Sequence, residues 1–138
     1  MKILITEDKL QGVFNGMMSD VSQLFETERG YDYYDYKKNR YIDYTPINFY
    51  MREIEDDDES WWEEDNWIFQ YAEKPPYNEP IEGFQTPLLI YPKNRFRNML
   101  EMFGDKFNDL LKFWFELTYG YPVKQVIDDY SSEKFVGF

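Results

Sequence analysis

Apolar residues recur at helical spacing near both ends of this chain and alternate along its middle, and that arrangement constrains the fold more than any other feature. From Leu10 the series runs through Val13, Phe14, Met17, Val21 and Leu24, which keeps one face of a helix apolar to about Phe25. Thr6 precedes it as an N-cap, with Glu7 and Asp8 where the helix dipole favours anions. Towards the other end, Phe96, Met99, Leu100 and Phe103 predict a short helix capped by Asn94 and stopped by Gly104. Asp105 then caps a second helix carrying Phe107, Leu110, Leu111 and Trp114, which Gly120 and Pro122 close.

Between these helices the period changes to two. Tyr31 to Tyr36 and Tyr41 to Tyr44 flank the polar break Lys37-Lys38-Asn39-Arg40 and read as a hairpin. Ile47 to Ile54, Trp67 to Tyr71, Thr86 to Tyr91 and Val123 to Ile127 predict strands, whereas Pro75, Pro76 and Pro80 make the stretch from Lys74 to Gly83 a loop. The expected fold is α+β: a mainly antiparallel sheet of roughly four to six strands, with one N-terminal and two C-terminal helices packed on one face. The chain of 138 residues fits one such domain over residues 1–130, followed by a tail at 131–138.

Gly12 and Gly16 interrupt the first helix, each costing about 1 kcal/mol relative to Ala. Close approach of another backbone would account for them, and Leu10, Phe14, Met17, Val21 and Leu24 have the spacing of a coiled-coil seam. That seam lasts barely two heptads, so the domain's own sheet is the expected partner.

The chain has no cysteine and no histidine, which removes thiolate chemistry, the commonest general base and the commonest metal ligands. No phosphate-cradling glycine loop, nucleophile elbow or dinucleotide fingerprint takes their place, so no enzyme activity, cofactor or metal is expected. No run approaches the roughly 18 apolar residues of a membrane helix, and the start meets acid before a signal-peptide core develops. With a formal net charge of -12, the chain is repelled by nucleic acid and anionic membranes and attracted to basic protein surfaces. Lys37, Lys38, Arg40, Lys93, Arg95 and Arg97 form two small basic clusters whose expected role is to balance neighbouring acids.

The charge is concentrated. Glu53, Glu55, Asp56, Asp57, Asp58, Glu59, Glu63, Glu64 and Asp65 place nine carboxylates in residues 53–65, a stretch without Lys or Arg. Trp61 and Trp62 sit among them, and the whole stretch lies between two predicted strands, which makes it a projecting loop. Asp56-x-Asp58-x-Ser60 has the start of a calcium loop, but Trp61 occupies the position where the sharp turn requires Gly. Magnesium-dependent hydrolysis would use carboxylates too, yet no nucleophile or base is paired with them. Two readings remain: a solvated charge run, or a contact surface on which charge steers encounter and tryptophan anchors the complex. The candidate partner-binding residues are Glu55, Asp56, Asp57, Asp58, Glu59, Trp61, Trp62, Glu63 and Glu64. Aromatic residues make up 21% of the chain, an excess that suits either a small core filled by large rings or a contact surface, with the core as the expected use.

The opening Met1-Lys2-Ile3-Leu4-Ile5-Thr6-Glu7, with the closing Phe103-Gly104, Leu110-Leu111, Trp114-Phe115 and Tyr119-Gly120-Tyr121-Pro122-Val123-Lys124, resembles small uncharacterised proteins of tailed bacteriophages and marine viral metagenomes. The resemblance carries no activity and no functional residue. It implies a viral protein acting by contact, in the host cytoplasm or in the virion. The expected function is therefore that of a non-enzymatic accessory protein, DNA-mimic-like or inhibitory, whose acidic loop binds a protein with a basic surface. A structural or assembly component of a virion is the alternative, and a carboxylate-metal enzyme a distant third.

Overall fold

The computed structural model describes residues 7–30, 33–37, 39–42, 45–51 and 67–132. It is an α+β fold. A first helix, α1 (Glu7–Ser22), leads into β1 (Phe25–Arg29); a small hairpin follows, β2 (Tyr33–Asp35) and β3 (Arg40–Ile42). Next come β4 (Ile47–Met51), β5 (Trp67–Ala72) and β6 (Leu88–Tyr91), then α2 (Arg97–Phe103), α3 (Phe107–Tyr119) and β7 (Gln125–Asp128). The main sheet has the order β1-β4-β5-β6-β7, and β2 and β3 form a separate two-stranded sheet.

The first four strands of the main sheet pair antiparallel, but β7 runs parallel to β6. A parallel neighbour needs a crossover of a dozen or more residues, and α2 with α3 supplies it. The amide of Lys124 donates to the carbonyl of Pro87 at 2.8 Å, tying the start of β7 beside the start of β6.

Alternation assigns the helix-covered face to Phe49, Phe69, Tyr71, Leu89, Tyr91 and Val126, and all of these join one cluster with Phe14, Phe107, Leu111, Trp114 and Phe115 from the helices. Phe69 lies at its centre, with ring centroids 5.5 to 6.1 Å from Phe25, Phe49, Phe96, Trp114 and Phe115. Burying Tyr71, Tyr91 and Tyr119 there disfavours their phenolates, so each phenol is pushed up to about 12. The Tyr71 hydroxyl donates to the carbonyl of Pro122 at 2.7 Å and the Tyr91 hydroxyl to Asn108 Oδ1 at 3.2 Å.

Several local expectations change. Asn94 caps no helix: Lys93–Phe96 forms a 3-10 turn, α2 starts after Phe96, and Asn94 Oδ1 accepts from the Arg97 guanidinium instead. Asp105 lies in a second 3-10 turn, Gly104–Lys106, and α3 begins after Lys106 without a side-chain cap. Gly104 and Gly120 do end their helices at positive φ, 58° and 75°, donating to the carbonyls of Leu100 and Glu116. Gly12 and Gly16 face open space, since a Cβ at either meets no atom within 4 Å, so no close backbone approach explains them among the described residues. Phe14 and Met18 are buried in the core and Leu10 and Met17 pack on it, so this part of the seam serves the chain's own fold. Strand β1 had no counterpart in the expected elements. Thr6, the strand continuation beyond Met51 and residues 133–138 lie outside the described residues.

Candidate partner-binding surface

The second face of the sheet changes character from edge to edge. Glu26 and Glu28 stand on it at the β1 edge, opposite Tyr50 and Asn48 of β4. In the middle, Gln70 Nε2 donates to Asn48 Oδ1 at 3.0 Å. Beyond that pair, Ala72, Leu88, Ile90 and Ile127 form a second apolar cluster, on which Tyr77, Ile81 and Phe84 pack from the connection between β5 and β6. Arg40 of the hairpin joins this cover: its guanidinium lies 3.7 Å from the Tyr77 ring centroid and 2.8 Å from Glu79 Oε1. Tyr77 holds φ at 61°, a left-handed conformation that aromatic residues rarely adopt, so the pair of contacts from Arg40 sits on a strained turn.

A bulge organises the acidic end. Phe49 pairs with Phe69, but Tyr50 pairs with Trp67, which leaves Ile68 as the extra residue of β5. Ile68 and Phe69 both enter the helix-side core, and Trp67 turns to the second face beside Tyr50, where it packs on the second apolar cluster. Glu26, Tyr50 and Trp67 therefore form one row across three strands. Burial, with the nearby Glu28 charge, raises the Tyr50 phenol above its ordinary value, so it stays a neutral hydrogen-bonding group through the physiological range.

The sequence candidates Glu55, Asp56, Asp57, Asp58, Glu59, Trp61, Trp62, Glu63 and Glu64 lie outside the described residues. What the structure brings together is the pair of strand ends from which they extend, Met51 and Trp67, with Glu26 and Glu28 one strand away. Sequence reasoning passed over these two glutamates, although the alternation Phe25-Glu26-Thr27-Glu28-Arg29 carries the signal of a charged edge strand. Among the described residues no three carboxylates are grouped to hold a metal ion.

Aromatic residues outside the core mark two other surfaces. On the hairpin, Tyr34 contacts Tyr36 and Tyr41 edge to face, its hydroxyl donates to Asn39 Oδ1, and Tyr36 and Tyr41 remain 87% and 72% exposed. On α3, Phe113 and Leu117 are 62% and 70% exposed. Arg40 meets an acid as expected of the basic clusters, whereas Arg97 is held by the neutral Asn94. Among the described residues no helix is long and apolar enough to cross a membrane.

These features define an α+β protein with an acidic, aromatic-bearing sheet end. No protein-family model matches the chain, and neither a curated protein nor a solved structure matches it.

Proposed function

We propose that the protein acts by protein–protein contact, without catalysis, and that its acidic sheet end binds a basic protein surface. The observation that carries this reading is where the charge stands along the chain and on the sheet: residues 53–65, with nine carboxylates and no cation in their sequence, fall between β4 and β5, and Glu26 stands opposite Tyr50 near the end of β4, with Glu28 two residues further along β1. Like charges gathered at one end are unfavourable for the isolated protein and become favourable when a cationic surface meets them. Trp67 and Tyr50, together with Trp61 and Trp62 of the connecting segment, supply the rings that anchor such complexes. The likeness of the two ends of the chain to small phage proteins supports an accessory role in an infected cell, against a basic host protein. Exposed Tyr36, Tyr41, Phe113 and Leu117, all outside the acidic row, favour a second reading, a virion or assembly component held by aromatic contacts.

Affinity capture from host lysate, followed by binding kinetics on the captured protein, tests the proposal. Replacing Asp56, Asp57, Asp58 and Glu59 by Asn and Gln slows association and flattens its dependence on salt. Trp61→Ala or Trp62→Ala speeds dissociation instead, by about thirtyfold if the ring is a hot spot worth about 2 kcal/mol. Capture that is unchanged in all these variants across physiological salt excludes the acidic segment as the binding site.

A further inference from the structure

An edge strand offers backbone hydrogen bonds, and the two edges of the main sheet differ in whether those bonds are used. At the β7 edge the Gln125 amide donates to the Pro87 carbonyl, so Val126 turns its own carbonyl outwards, where Asn108 Nδ2 donates to it at 3.3 Å. At the β1 edge the Gly30 amide donates to the Pro46 carbonyl at 2.7 Å, in register with the pairing of Glu28 to Asn48 and Glu26 to Tyr50. Antiparallel pairs alternate between bonded and non-bonded, so Glu26 and Glu28 direct their amides and carbonyls to β4, and Phe25, Thr27 and Arg29 direct theirs away from it. Among the described residues no strand pairs with that outer side.

Proteins guard such edges with proline, bulges or blocking side chains. Strand β1 has no proline, and its register with β4 is unbroken. The Arg29 guanidinium reaches back over the sheet, to the Thr45 carbonyl at 3.1 Å and to Glu73 at 3.8 Å, instead of out from the edge. Glu26 and Glu28 remain, and they exclude one occupant. In every antiparallel register that bonds two β1 strands through their outer groups over three or more residues, a Glu of one copy stands directly opposite a Glu of the other, which is destabilising. The same geometry selects a cation. Residues of an added strand opposite Glu26 and Glu28 form non-hydrogen-bonded pairs, whose Cα atoms approach to about 4.5 Å, the closest in the ladder. Lys or Arg at those alternate positions meets the two acids on the second face, and the residue between them falls opposite the exposed Thr27, where a β-branched side chain packs.

We infer that the outer edge of β1 takes an extended segment of a partner protein as an added antiparallel strand, with Lys or Arg at alternate positions facing Glu26 and Glu28. Main-chain bonds hold the segment, and the two acids set its register and select its sequence. That the partner is basic rests on the function proposed above; that it binds as a strand rests on the β1 edge alone.

Amide hydrogen exchange of the intact chain, read residue by residue by NMR, is the test. The probe is a disulfide-closed β-hairpin peptide, preorganised so that its outer strand, Thr-Lys-Val-Lys-Thr, directs the valine amide outwards. In the free protein the amides of Phe25, Thr27 and Arg29 are expected to exchange quickly and those of Glu26 and Glu28 slowly. Peptide at about ten times its dissociation constant slows the first three about tenfold. N-methylation of the valine, or Thr27→Pro in the protein, abolishes the slowing, because each removes one outward donor and leaves the strand's own ladder intact. Glutamate in place of both lysines weakens binding by about tenfold or more. Circular dichroism checks that Thr27→Pro is folded, and if it is not, the N-methylated peptide against the wild-type protein decides. Outer amides as slow as those of Glu26 and Glu28 in the free protein overturn the inference, as do peptide that leaves them fast into the millimolar range, slowing that survives N-methylation, and equal binding of the glutamate peptide. Capture through residues 53–65 is a separate readout: slowing at β1 upholds the added strand even where variants of that segment capture the partner unchanged, and capture that depends on the segment does not rescue an edge that the peptide leaves unprotected.

Discussion

The two faces of the five-stranded sheet are built from the same strands and close in different ways. On one, Phe49, Phe69, Tyr71, Leu89 and Tyr91 meet three helices in a continuous aromatic cluster. On the other, apolar burial is confined to Ala72, Leu88, Ile90 and Ile127 under a strained, proline-rich connection, and it gives way through an amide pair to glutamates at the edge. The contrast separates two tasks. The helix face holds the fold, and the second face is left polar towards the β1 edge, where the proposed contact would form.

The largest expected effect breaks or upholds this division at its centre. Phe69→Ala removes a fully buried ring with five aromatic neighbours, and urea unfolding is expected to report a loss of about 3–5 kcal/mol. Ile90→Ala on the opposite face is expected to cost less, about 2–3 kcal/mol, because a covering loop can settle into the space more easily than three packed helices can. If Ile90→Ala costs as much as Phe69→Ala, the two faces contribute alike and the comparison fails.

A third effect appears only in alkali. Tyr71, Tyr91 and Tyr119 on the helix side hold their protons to about 12, against about 10 in an unfolded chain. Between those values the unfolded state has lost protons that the folded state keeps, so stability falls as pH rises. The contribution is fully present below about pH 10 and is lost progressively towards pH 12. Melting temperature should therefore hold steady up to pH 10 and then drop, in step with tyrosinate absorbance at about 295 nm appearing on unfolding. Tyrosinate absorbance from these residues in the still-folded protein near pH 10 would contradict the burial that raises them.

The helix face was the legible one. Helical spacing of Phe14, Met17, Phe107, Leu110, Leu111 and Trp114, and alternation in β4 and β5, assign most of its residues without any structure. The capping residues misled because Asn94 and Asp105 lie in 3-10 turns that carry the chain into α2 and α3, and a polar residue ahead of an apolar stripe looks the same in both cases. Strand β1 escaped because Phe25 continues the apolar face of α1 and three of its five residues are charged, so neither period stands out. The parallel pairing of β7 is set by the α2–α3 crossover rather than by anything in Gln125 to Asp128. At the candidate site, the acidic run was visible as composition, but its neighbours were not. Glu26, Glu28 and Tyr50 come together only through strand register, and Trp67 joins them only because Ile68 is bulged.

The most direct test of the acidic sheet end uses the two glutamates that the structure places there. Glu26→Gln with Glu28→Gln should leave stability within about 0.5 kcal/mol, as surface changes do, while slowing association with the captured basic partner and flattening its salt dependence. Glu101→Gln with Asp105→Asn removes the same charge from exposed positions on and after α2 and serves as the control. The predicted result is slower association for the β1 pair and wild-type association for the control. Equal slowing in both would make net charge alone responsible, and no slowing in the β1 pair would contradict a contact at this end of the sheet.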